Sequence, residues 1–131
     1  GPIQVVLYAA SSARDTDFTA RLTDVDQEGR SLVLCEGILR GRYRKGTTET
    51  ELLEPEEVDE FKIELCPACH MFLVGHRLRL DISSSNFPRF SRNLNTGEDV
   101  ATGTRMQTAR QTVLHTGQYP SHIMLPVVDA N

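Results

Sequence analysis

Tryptophan is absent from the 131 residues, and only eight aromatic side chains are present, five Phe and three Tyr. Sugar-binding modules stack their ligands on exposed aromatic rings, Trp above all, so this composition offers a carbohydrate little to stack on. Lysine is nearly absent as well, two against twelve arginines. The formal net charge is -4, and acids gather in Glu49–Glu64. Nucleic acid as a main partner calls for a basic face, so it is not expected. No apolar run approaches the roughly 20 residues of a membrane-spanning helix, so no membrane contact is expected. The three cysteines, Cys35, Cys66 and Cys69, are odd in number and make a poor disulfide framework. Reduced thiols and a cytoplasmic location are the expectation. Gly1–Ala10 lacks the basic start of a signal peptide, although a leader could have been removed and export stays open. Gly-x-Ser-x-Gly, the sharp turn that presents a serine nucleophile, occurs nowhere.

What is present reads as strands. Gly75–Phe90, GHRLRLDISSSNFPRF, opens with strict alternation: Leu78, Leu80 and Ile82 against Arg77, Arg79 and Asp81. Such a period of two places one face in a core and the other in water or against a partner. Phe18, Ala20 and Leu22 alternate with Thr19 and Arg21, and Phe61, Ile63 and Leu65 with Lys62 and Glu64. Pro55–Lys62 is the best helix candidate, yet its apolar spacing fits two better than 3.6. Ile3–Ala10, Ser31–Tyr43 (bent at Gly37 or Gly41), Met71–Val74, Arg105–His115 and Ile123–Val128 read as extended, and Asp24–Gly29 as a turn. Lys45–Glu57 and Asn86–Gly103 read as long loops. About eight short strands with almost no helix predict an all-β sandwich, and the long connections favour a jelly roll. The length suits a single domain, 1–131, with one core.

Chemistry-bearing motifs are few. Cys66-Pro-Ala-Cys69-His70 matches the Cys-x-x-Cys-His of c-type haem attachment. It follows directly on a strand pattern in a chain that looks all-β. Zinc would need a second ligand pair, with His76 the nearest spare ligand, and a redox pair would normally open a helix. The expectation is two small thiols at a strand end, one of them buried, in a turn with Pro67. His70, His76, His115 and His122 are expected to bond backbone groups at strand ends. Asp15 and Asp17 could bind calcium, but an Asx-turn or an ion pair with Arg40, Arg42 or Arg44 is preferred. The excess of arginine suits half-buried, two-pronged ion pairs, and a genome rich in G and C would produce it equally well. No catalytic residue, metal site or cofactor is expected.

Seven blocks in order carry a family resemblance. They are GPIQVVL (Gly1–Leu7), DTDFTARL (Asp15–Leu22), DVDQEGR (Asp24–Arg30), EGILRGRYR (Glu36–Arg44), GHRLRLDISSSNFPRF (Gly75–Phe90), NLNTG (Asn93–Gly97) and YPSHIMLP (Tyr119–Pro126). Together they resemble the C-terminal domain of the cocaine esterase/NonD hydrolases and X-prolyl dipeptidyl-peptidases, over essentially the whole chain. The resemblance implies a jelly-roll sandwich of galactose-binding-like type. It implies a non-catalytic domain that packs on an α/β-hydrolase domain bearing a Ser-Asp-His triad, and that can also join a second copy of the protein. The Cys66–His70 stretch departs from the family pattern. The family's nucleophile motif has no counterpart here, so no catalytic residue carries over. The alternative is a stand-alone sandwich module binding a carbohydrate or other small ligand.

The polar residues around the SSSNFPRF loop are expected to form a structural network, because buried polar groups must be paired. Its expected members are Asp17, Arg42, Asp81, Ser84, Asn86 and Arg89. Arg89 is expected on Asp17 or Asp81, and Asn86 on backbone.

Overall fold

The computed structural model describes residues 1–128. Among them are seven strands: β1 (Ile3–Ser11), β2 (Asp17–Val25), β3 (Ser31–Arg40), β4 (Val58–Leu65), β5 (Arg77–Ser83), β6 (Gln111–Leu114) and β7 (His122–Met124). All pairings are antiparallel. One sheet runs β4-β1-β6, with β7 pairing further along β1; the other runs β3-β2-β5. The two sheets share one apolar interior, so the molecule is an all-β sandwich whose long connections cross between sheets as in a jelly roll.

The alternating patterns explain the layers. Phe18, Ala20 and Leu22 of β2 meet Phe61, Ile63 and Leu65 of β4 across the interior, with Val5, Leu7 and Ala9 of β1. The Phe18 and Phe61 rings stand 4.7 Å apart at 59°, a tilted aromatic pair. Burying each such ring contributes about 1.5–3 kcal/mol. The unbroken apolar run of β1 fits its place: it is flanked by strands on both sides, and Val6 and Ala10 are buried on its other face.

The sheets touch at one edge. Cys66 N–H donates to the Glu36 carbonyl across 3.4 Å, and a Cβ added to Gly37 would stand 2.0 Å from the Glu64 carbonyl oxygen. Glycine is therefore required at 37 by the close approach of two backbones rather than by a bend. Beyond Arg40 the chain enters a 3-10 turn, Gly41–Tyr43, pinned by Gly41 N–H to the Thr16 carbonyl at 2.8 Å.

Of the extended stretches read from the sequence, Met71–Val74 is not a strand, and Arg105–His115 and Ile123–Val128 are strands only in part, the latter within β7. Met71–Val74 lies beyond the ends of both sheets, where no neighbouring strand offers partners. Its carbonyls are instead met by His76 N–H (to Leu73, 3.0 Å) and the Gln27 amide (to Val74, 3.2 Å). Arg105–His115 pairs as a strand only over Gln111–Leu114, because its first half follows the long loop and bonds Leu94 and Asn95. Pro55–Lys62 holds no helix; its second half is β4. No helix among the described residues is long and apolar enough to cross a membrane.

Candidate functional site

Three polar clusters organise the surface of the β3-β2-β5 sheet and its two ends. The first stands where β2 begins. Asp15 and Asp17 are buried there, and the end of β3 and the following turn bring guanidinium groups to them. Arg40 grips Asp17 with two prongs, Nε to Oδ1 at 2.9 Å and Nη2 to Oδ2 at 3.0 Å. Arg42 Nε donates to Asp15 Oδ2 at 2.8 Å, and its backbone N–H to Oδ1 at 3.1 Å. Asn93, from the long loop, donates to both acids, at 3.1 and 2.8 Å. Charge-assisted bonds of this kind are the strong ones. The hydrogen bonds to Asp17 raise the Arg40 pKa above its ordinary value, against the opposing effect of burial. Arg44 does not join the two aspartates; it lies 2.8 Å from Asp59.

The second cluster lies on the outer face of the same sheet, with Glu36 at its centre. Arg21, its cross-strand partner, donates to Glu36 Oε2 at 3.1 Å. Asn86 donates to the same oxygen at 3.0 Å and accepts from Arg21 at 3.0 Å, while Arg89 pairs with Glu36 Oε1. Burial alone would raise the Glu36 pKa; the donors Asn86, Arg21 and Arg89 outweigh it and hold the carboxyl below its usual range. The loop folded over this face borders a shallow polar cleft of about 350 Å³, lined by Arg21, Asp81, Ser83, Ser85, Asn86 and Phe87.

The third cluster lies at the opposite end. Asp24 is buried and takes two imidazoles: His70 Nε2 at 2.7 Å and His76 Nδ1 at 2.9 Å. Phe72 stands edge-on to His70, centroids 5.0 Å apart. Burial raises the Asp24 pKa, but the hydrogen bonds from His70 and then His76 prevail, and it lies below the ordinary carboxyl value.

The expected network is thus divided. Asp17 and Arg42 stand in the first cluster, Asn86 and Arg89 in the second. Arg89 turns to Glu36, not to Asp17 or Asp81. Asp17 is already taken by Arg40, whereas Asp81 pairs with Arg79 two residues away on its own strand, at 3.2 Å. The Asn86 side chain bonds side chains rather than backbone, because the loop lays it between Arg21 and Glu36. Ser84 is exposed and makes none of these bonds; its neighbour Ser83 bonds Ser85 instead. Asp15 and Asp17 are ion-paired, as preferred over calcium. Glu36, Arg21, Asn93 and Asp24 were not singled out from the sequence. The pairing of outward positions across β2 and β3 is the signal that would have found the first two.

The histidine expectation holds at His122, whose Nδ1 meets the Pro120 carbonyl at 2.6 Å, and fails at His70 and His76, which bond a carboxylate. Cys66 and Cys69 are both exposed, so neither is the buried thiol expected of that pair; Cys35 is the buried cysteine. Burial, with the neighbouring Cys66 thiol, raises the Cys35 pKa. Among the described residues, no three His, Cys, Asp or Glu side chains converge as a metal site, and no serine or cysteine bonds an imidazole.

Residues 1–124 match the family model of the X-Pro dipeptidyl-peptidase C-terminal non-catalytic domain. The chain is 42% identical over 130 residues to the cocaine esterase of Rhodococcus sp. (strain MB1 Bresler), covering 98% of this chain and 23% of that protein. Among solved structures it is similar to an α-amino acid ester hydrolase labelled with selenomethionine: TM-score 0.93, 32% identity, 98% of this chain and 23% of that one. It is also similar to an aminopeptidase from a marine sediment archaeon, Thaumarchaeota archaeon, with TM-score 0.89, 32% identity, and 94% and 22% coverage. The chain therefore spans about a quarter of the length of these relatives. These likenesses lend no support to a stand-alone carbohydrate module.

Proposed function

The chain belongs to the family of X-Pro dipeptidyl-peptidase C-terminal non-catalytic domains, and from that premise we propose that it packs on an α/β-hydrolase catalytic domain earlier in the same polypeptide. That domain supplies the serine nucleophile and cleaves an ester or an amide of acyl type. The sandwich contributes shape and contact surface to the wall of the active-site region. One observation carries this: residues 1–124 match a non-catalytic family, while the acids of the three clusters are held by partners from this same chain. Asp15, Asp17, Asp24 and Glu36 each accept from an arginine, an asparagine or an imidazole. A fluorophosphonate probe tests the reading on the full-length protein. Labelling of one serine outside residues 1–131 is expected; labelling within them overturns it.

We also propose self-association of the full-length protein through the open side of β5. Among the described residues that strand is the last of its sheet and pairs on one side only, with β2. Light scattering at micromolar concentration should give twice the chain mass, and a single-chain mass removes this second contact.

A further inference from the structure

The β3-β2-β5 sheet carries an inward-facing row that runs past the interior. Leu22 and Leu80 are paired in register and pack on the core. Two residues further along β2 the next inward row is Leu32–Asp24–Leu78, again in register across three strands. Leu32 and Leu78 are 59% and 42% exposed, although they continue the side of the sheet that is buried elsewhere. The facing sheet has run out: its nearest pair is Ile3–Leu65, the first residue of β1 against the last of β4.

What lies over this open end is the segment from Cys66 to His76, and it is firmly anchored. His70 and His76 hold Asp24, Phe72 packs on His70, and Gln27 bonds Val74. Gly75 has φ +84, where a side chain would also strike Gln27, so the turn back into β5 needs glycine there. Yet the segment shows its apolar side chains to water: Met71 is 74% exposed, Leu73 55% and Val74 96%. Beside it lies a cleft of about 330 Å³ lined by Asp24, Leu32 and His76 among others. A fixed apolar patch continuous with a half-covered interior marks a contact surface.

We infer that the polypeptide preceding Gly1 in the full-length protein seals this end, seating apolar side chains against Leu32, Met71, Leu73, Val74 and Leu78. The occupant follows from where the chain enters. β1 starts at this same end, with Ile3 opposite Leu65 and hence one residue from the start of the anchored segment. Gly1, beside Pro126, therefore brings the preceding chain in at the end where the rows lie open. The relatives hold most of their length outside the matched part, and the family is a C-terminal one, so there is polypeptide to fill the site. The inference rests on the proposed function only in requiring a longer parent; it does not depend on the chemistry of that parent.

Methionine oxidation in the full-length protein tests it, because peroxide converts exposed thioethers to sulfoxides. Oxidation of Met71 is followed by mass spectrometry, native and in urea, for the parent and for Val74→Asp. A covered Met71 should oxidise roughly tenfold more slowly in the native protein than in urea, and Val74→Asp should remove most of that protection. Native oxidation within about twofold of the urea rate overturns the inference. Protection that disappears on dilution to single chains also overturns it, since the cover would then be a second copy. Fluorophosphonate labelling of the same samples separates the two claims. A labelled serine with an open Met71 refutes the sealing and keeps the hydrolase; a protected Met71 with no label does the reverse.

Discussion

The two ends of this sandwich carry the same device, a buried aspartate held by side-chain nitrogens, but with different chemistry. At the β2 start, Asp15 and Asp17 meet the planar guanidinium groups of Arg42 and Arg40, and Asn93 ties the long loop over them. That end is finished by this chain alone. At the β2 finish, Asp24 meets two imidazoles, one nitrogen from each. The segment carrying them leaves its apolar side chains in water. The difference teaches that burial of an acid marks a sealed end only when its surroundings are sealed too.

The largest effect should come from breaking the arginine end. Asp15→Ala strands Arg42, mostly buried, without its carboxylate, and urea unfolding should show a loss of about 3–5 kcal/mol. A loss below about 1 kcal/mol, the scale of a surface pair, would mean that the two ends do not differ in kind. Next comes the seam between the sheets. Gly37→Ala drives a methyl group into the Glu64 carbonyl and should cost about 1–3 kcal/mol or more, with faster amide exchange in β3 and β4 but not in β6.

The imidazole end should show itself in its pH response. The folded Asp24 pKa lies below its unfolded value, so its contribution is complete above the unfolded pKa, about 3.9, and is lost as pH falls through the folded one. Asp24→Asn should therefore lower stability at neutral pH and flatten the acid limb of a stability–pH curve. An unchanged acid limb would remove Asp24 from the account. The smallest change is expected at Glu36→Gln. Its partner Arg89 is largely exposed, so solvent screens the pair, and the loss should be about 1 kcal/mol or less. Faster amide exchange at Asn86–Phe90 is the sharper measurement.

The inward rows were legible because period two survives in the sequence, as in Phe18–Leu22 and Phe61–Leu65. So were the two long loops, from their polar, Gly- and Asn-rich content. Ion pairing of Asp15 and Asp17 was legible because Arg40, Arg42 and Arg44 follow at the end of the neighbouring strand pattern. The partner of Arg89 was not. Which acid it meets depends on how β3 registers against β2, and a shift in that pairing between Leu22 and Thr23 is invisible in the residue order. The roles of His70 and His76 were hidden for a related reason. Asp24 looked like part of a turn, whereas it is the inward residue of the last row, where an acid must find donors.

The first strand of this domain in chain order is the one finished last. β1 lies at the centre of its sheet, and its flank away from β4 is filled by β6 and β7; Tyr8 N–H bonds the Ser121 hydroxyl from 113 residues away. The ribosome must therefore release nearly all of this stretch before that flank closes, so the nascent chain carries an open strand edge until β6 and β7 have emerged, the condition in which chaperone capture and misassembly compete with folding.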